Sequence, residues 1–179
     1  MRGTCSLLVL LVAISAGTSL AQTDSDPNDV VSPEAIILAS YEAISRAPGE
    51  YTDWDRYRSL FLPQANLIPN IELLGGQFGV LTVQEFIDWL DAWYAENVPI
   101  GGSTDRGFEE EEIAADVEIY GDVAQVFSTY QKRLWGGEAA FGRGIQSFQL
   151  VRSNGRWWIA GIAWDEESGA GPIPESYLP

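Results

Sequence analysis

Val123-Ala124-Gln125-Val126-Phe127-Ser128-Thr129-Tyr130 and Gly144-Ile145-Gln146-Ser147-Phe148-Gln149-Leu150-Val151 are two runs in which apolar and polar residues alternate. The second turns through Ser153-Asn154-Gly155 into Arg156-Trp157-Trp158-Ile159 and continues to Asp165. Alternation with period two over such lengths marks strands with one buried face. Three long strands joined in sequence predict a strongly curved antiparallel sheet. Because amphipathic helices precede them, the expected class is α+β: a cone-shaped, curved antiparallel sheet wrapped around N-terminal helices and enclosing a pocket. The pair Trp157-Trp158 puts one ring on each face. Which ring faces inward depends on whether a bulge precedes them.

Moving toward the N-terminus, Ile113, Ala115, Val117 and Ile119 alternate with Glu112, Asp116 and Glu118, which predicts a further strand with the odd positions inward. Thr82-Val83-Gln84-Glu85 is a capping box. Val83, Phe86, Ile87, Leu90, Trp93 and Tyr94 then form the apolar stripe of a helix that plugs the sheet. Residues 65–71 read as a short strand, and Gly75-Gly76 with Gly79 as a loop or hairpin. A short helix over 53–61 turns Trp54, Tyr57, Leu60 and Phe61 inward and ends at Pro63. The first helix opens with Ser32 as cap, Pro33 at the first position and Glu34 beside the positive end of the helix dipole. Ile37, Tyr41 and Ile44 share one of its faces.

The chain divides into an export signal (1–21), a polar leader (22–31), one domain (32–166) and a Gly/Pro-rich tail (167–179) that lies along the body. Arg2, the apolar run 7–16 and Ser19-Leu20-Ala21 carry the signal reading. That apolar run is shorter than the roughly 20 residues a spanning helix needs. Localisation is therefore expected to be periplasmic or extracellular. The only cysteine, Cys5, lies inside the signal, so the mature chain must rely on its core rather than on disulfides. Asp24, Asp26 and Asn28 imitate the start of a calcium loop. Asp29 stands where that loop needs glycine, however, and Ala35 where it needs a bidentate glutamate, so no metal site is expected. A formal net charge of −16 repels nucleic acid and anionic membrane and argues against both as partners.

The order helix, short helix, strand, third helix and four long strands resembles the nuclear transport factor 2-like superfamily, which includes SnoaL-like cyclases and ketosteroid isomerases. The resemblance covers 32–166. It rests on Asp53-Trp54-Asp55-Arg56-Tyr57-Arg58 before Leu60-Phe61, on Gly121-Asp122-Val123 leading to Tyr130, on Arg143-Gly144-Ile145-Gln146-Ser147, and on Arg156-Trp157-Trp158-Ile159 with Trp164-Asp165. With Pro172-Ile173-Pro174, these look like an exported bacterial subgroup. The resemblance implies an apolar pocket between sheet and helices, cofactor-free chemistry where there is catalysis, and pairing of two copies through the outer face of the sheet. A common fold does not transfer a reaction.

The isomerase pattern, carried over position by position, puts one oxyanion donor on Tyr41 and the second on Gln146. Its general base falls on Pro69, which cannot move a proton. Histidine is absent from the chain, which removes histidine-based dehydratase, nucleophile and zinc chemistry. Glu111, Arg143 and Asp165 are the residues available to imitate a hydrolase cluster, and Glu111 or Asp165 is the candidate base. The expected pocket residues are Tyr41, Ser128, Tyr130, Gln146, Phe148 and Trp164, with no cofactor. The leading expectation is a domain that binds a small, mainly apolar molecule. The alternatives are a cofactor-free isomerase, cyclase or hydrolase acting on a carbonyl or polyketide-like substrate, and a non-catalytic dimeric interaction module whose cone is filled by side chains.

Overall fold

The structure, a computed structural model, describes residues 25–70, 75–76, 79–100 and 105–179. Residues 1–24, on which the expected export signal and Asp24 fall, lie outside the described residues, as do parts of the loops expected after residues 71 and 99. Helices α1 (Pro33–Ile44) and α2 (Trp54–Ser59) lead into strand β1 (Phe61–Ile68). Helix α3 (Val83–Asn97) is followed by β2 (Glu109–Tyr120), β3 (Val123–Arg133), β4 (Ala140–Ser153), β5 (Arg156–Glu166) and a short α4 (Glu167–Ala170). The five strands form one sheet in the order β1-β5-β4-β3-β2. The long hairpins are antiparallel, and β1 runs parallel to β5. This strand starts at Phe61 rather than at the expected residue 65, because Leu60 accepts the backbone N–H of Ile159 at 2.9 Å and the pairing begins there.

Helix α1 lies in the concave side of the sheet. Its Ser32 hydroxyl caps the backbone N–H of Ala35 at 3.2 Å, and Ile36, Ile37, Tyr41 and Ile44 are buried against the strands. Helix α3 starts with both halves of its capping box made: the Glu85 N–H donates to the Thr82 hydroxyl at 3.2 Å, and the Thr82 N–H to Glu85 Oε2 at 2.8 Å. Its Phe86, Ile87, Leu90 and Tyr94 are buried over the open side of the cone. Phe148 and Ile159, both fully buried, close the centre, each contributing about 1.5–3 kcal/mol by leaving water.

Two features fix where β2 sits. Arg46, just after α1, exchanges backbone hydrogen bonds with Phe108 at 2.8 and 3.0 Å. Its buried guanidinium is held by Asp105 at 3.1 Å and by the Val98 carbonyl. One residue earlier, the Ser45 hydroxyl accepts the Glu110 N–H at 3.0 Å and approaches the Glu110 carbonyl at 3.2 Å. The start of an edge strand is thus satisfied by the end of a helix rather than by another strand.

On the outer face, Glu167 accepts both Arg143 (2.8 and 3.0 Å) and the Ile173 N–H (3.1 Å), and so turns the tail back over the sheet. Thr129 Oγ1 donates to the Tyr177 carbonyl at 2.7 Å, and the Phe127 and Tyr177 rings lie 5.6 Å apart. Of the two tryptophans, Trp157 is buried. Trp158 lies on the other face under the Arg156 guanidinium, 3.6 Å from the ring centroid. Among the described residues no helix is long and apolar enough to cross a membrane.

Candidate functional site

A β-bulge decides the site. Directly opposed residues of an antiparallel pair point to the same face. After the bulge, Ala115, Val117 and Ile119 oppose Ser128, Val126 and Ala124, the inward residues of β3. Before it, Glu112 opposes Tyr130 and Glu110 opposes Lys132. The register shifts between Glu112 and Ala114, so the inward positions are even before the bulge and odd after it. Phe108, Glu110 and Glu112 therefore enter the cone, while Glu109 and Glu111 point away and pair with Arg133 at 2.8 and 2.5 Å.

Glu110 is 8% exposed. Its Oε1 accepts the Gln146 side-chain amide at 2.8 Å. No donor among the described residues meets its second oxygen. Burial pushes the carboxyl up to about 8. The Lys132 ammonium opposes that shift, the Glu166 carboxylate adds to it, and the Gln146 hydrogen bond lowers it. Lys132 is bound to Glu166 at 2.5 Å, with side chains 16% and 12% exposed, which places the pair at the rim. The Tyr130 hydroxyl donates to the same Glu166 oxygen at 3.3 Å. Gly144, paired with both Tyr130 and Glu166, makes this contact possible: a Cβ there would sit 2.7 Å from the Tyr130 hydroxyl and 2.3 Å from the Asp165 carbonyl.

A second chain runs beneath. The Ser128 hydroxyl donates to Glu112 Oε2 at 2.6 Å, so the Tyr41 hydroxyl, 2.8 Å from Ser128, donates to it in turn. Burial raises the Tyr41, Tyr57 and Tyr130 phenols above their ordinary value, with the Glu110 charge adding to it. They act as neutral donors and packing surfaces. Burial also raises the Glu112 carboxyl, while the Ser128 bond lowers it.

These groups surround a cavity of about 90 Å³ between α1, α3 and the sheet, the liquid volume of about three waters. Its walls are aromatic. Phe86 meets Trp164 edge-on at 5.6 Å, and Trp93 meets Phe108 at 6.0 Å. Of the residues expected from sequence, Tyr41, Tyr130, Gln146 and Trp164 line this cavity. Ser128 and Phe148 are fully buried but lie behind the lining. Glu111 and Asp165 are corrected: Glu111 is on the other face with Arg133, and Asp165 is exposed, accepting the N–H of Glu166 at 2.8 Å. Arg143 is held by Glu167 outside the cavity. An acid–base scheme built on Glu111 or Asp165 therefore fails.

Sequence reasoning missed Glu110, Lys132 and Glu166, although signals for each were present. Phe108 and Ile113 are five positions apart, a spacing that one strand face cannot hold without an extra residue. Ile162, Trp164 and Glu166 share parity, and Lys132 is the only lysine. Among the described residues no cluster of three or more histidine, cysteine or acidic side chains is arranged to hold a metal. The site's chemistry is that of a carboxyl able to gain or lose a proton near neutrality, in an apolar, aromatic enclosure.

No family model and no curated protein matches this chain. Among solved structures, a protein of unknown function with a cystatin-like fold from Nostoc punctiforme superposes with a TM-score of 0.50 at 14% identity. It covers 65% of this chain and 78% of its own. A second cystatin-like domain from the same organism, also of unknown function, gives 0.48 at 14% identity over 80% and 79%. A nuclear transport factor 2-like protein of unknown function from Silicibacter pomeroyi gives 0.44 at 17% identity over 74% and 91%. The helix order, the unclosed five-stranded sheet and the first of these superpositions agree: the chain has a cystatin-like cone fold.

Proposed function

We propose that the cone cavity binds a small, mainly apolar molecule bearing one polar group. The observation that carries this reading is the open oxygen of Glu110. A carboxyl this buried has its second oxygen satisfied either by water or by a ligand, and it stands in a small cavity with mainly aromatic walls. Export of the mature chain belongs to the same proposal, supported by residues 1–21. Titration with small cyclic alcohols, ketones and amines, followed by indole NMR signals, tests the binding. Saturable shifts are expected at Trp89, Trp93 and Trp164, which line the cavity, and none at Trp158, which lies outside it. No saturable shift at the three cavity indoles with any compound class would contradict the reading.

Acid–base catalysis on a bound carbonyl compound is the second reading, favoured by Glu110 because a carboxyl held at about 8 suits proton transfer near neutral pH. Under this reading the Gln146 amide and the Tyr130 hydroxyl orient the substrate. A turnover lost in Glu110→Gln while binding persists would separate it from simple carriage.

A further inference from the structure

We propose that the ligand of this cavity is a small organic cation, an alkyl- or arylammonium ion whose charge rests against the open oxygen of Glu110 and whose carbon groups lie against the aromatic walls. The inference rests on the cavity being a ligand site, and it names the ligand's class. Eight of the lining residues are aromatic, and ring faces carry the negative end of the ring quadrupole, which attracts cations most strongly when water is excluded. The charge balance points the same way. Two carboxyl groups, Glu110 and Glu166, face one ammonium, Lys132, which is already bound to Glu166 at 2.5 Å. An anion would meet two acids to reach one occupied base. The formal charge of −16 over the whole chain also draws cations toward the protein from a distance.

The groups facing Glu110 come from every surrounding element: Tyr41 from α1, Tyr57 from α2, Tyr94 from α3, Tyr130 and Lys132 from β3, Gln146 from β4 and Glu166 from β5. The tyrosines are raised by burial and remain neutral. Empty, Glu110 keeps its proton up to about pH 8. A cation binds the ionised form, so its binding expels that proton. Affinity for a quaternary ammonium ion, which has no proton of its own, must then rise about tenfold per pH unit below 8 and level off above it.

The test is calorimetric titration of the mature protein between pH 6 and 9 with tetramethylammonium and choline, and with 3,3-dimethyl-1-butanol as choline's uncharged carbon isostere. The expected result is tighter binding of choline than of the isostere at pH 8, a Kd about fiftyfold weaker at pH 6 than at pH 8, and proton release measured in buffers of different ionisation enthalpy. Glu110→Gln should remove the pH slope and weaken choline at least tenfold. If the isostere binds as well as choline, without pH dependence, the cation inference is wrong while the cavity remains a ligand site. If neither compound binds and the cavity indoles also fail to respond to neutral compounds, both readings fall.

Discussion

Glu110 holds its proton because ionising it inside the cone exchanges water for aromatic walls, and that exchange appears in folding as well as in binding. Its folded value is about 8 against 4.5 for the free side chain, so the folded state binds this proton more tightly than the unfolded state. The stability it contributes is therefore fully present below about pH 4.5 and is lost as pH rises through about 8, a loss on the order of 5 kcal/mol. Glu110→Gln removes this dependence. Denaturant unfolding at pH 5, 7 and 9 should show the variant gaining on the parent chain as pH rises, and a constant difference would contradict the assignment. The Tyr41–Ser128–Glu112 chain makes a second residue-scale prediction. Ser128→Ala leaves the buried Tyr41 hydroxyl without its acceptor and Glu112 without its donor, at a cost of about 1–3 kcal/mol. Adding Tyr41→Phe should cost less in that background than in the parent chain, as a double-mutant cycle would measure.

At the scale of elements, Gly144 and the bulge in β2 shape the site. Gly144→Ala places a methyl against the Asp165 carbonyl and the Tyr130 hydroxyl. It should cost about 1–3 kcal/mol and break the Tyr130–Glu166 contact, which unfolding and the Tyr130 ring signals would report. The helices and long strands were legible from sequence because each has its own local signal: Ser32 and Pro33 opening α1, the Thr82/Glu85 box opening α3, and the strict alternation along β3 and β4. Tyr41 and Gln146 were reached by resemblance, and both line the cavity. The spacing of Phe108 and Ile113 signals an extra residue in β2, but no local pattern in Glu109-Glu110-Glu111-Glu112 marks where it goes, and its place exchanges Glu110 for Glu111. Asp165 was mistaken for Glu166 for a simpler reason: the inward parity of Ile162 and Trp164 was not carried two residues further. The parallel pairing of β1 with β5 joins segments about a hundred residues apart in the chain, and strand alternation says nothing about partners.

At the scale of the whole molecule, the tail and the outer sheet face govern how copies of the chain could meet. Tyr177 covers Thr129 and Phe127, whereas Gln125 and Gln149 remain exposed. Pairing through the sheet, proposed from the family resemblance, would have to use the region the tail leaves clear. Ending the chain at Gly171 removes Ile173 and Tyr177 from the sheet. The shortened protein should lose about 1–2 kcal/mol and keep its cavity. Light scattering of both forms would show whether the tail limits association: a larger mass for the shortened form is expected if it does, and equal masses would dismiss that role.

One buried carboxyl facing an aromatic cavity underlies the binding and the stability predictions alike. A carbon-13 NMR titration of the side-chain carboxyls, in the parent chain and in Glu110→Gln, tests it most directly. One carboxyl with a midpoint of about 8 is expected, absent from the variant and moving to lower pH when choline is added. If every carboxyl titrates below about pH 6, as ordinary acids do, Glu110 does not face the cavity as described, and the site has to be rebuilt from other residues.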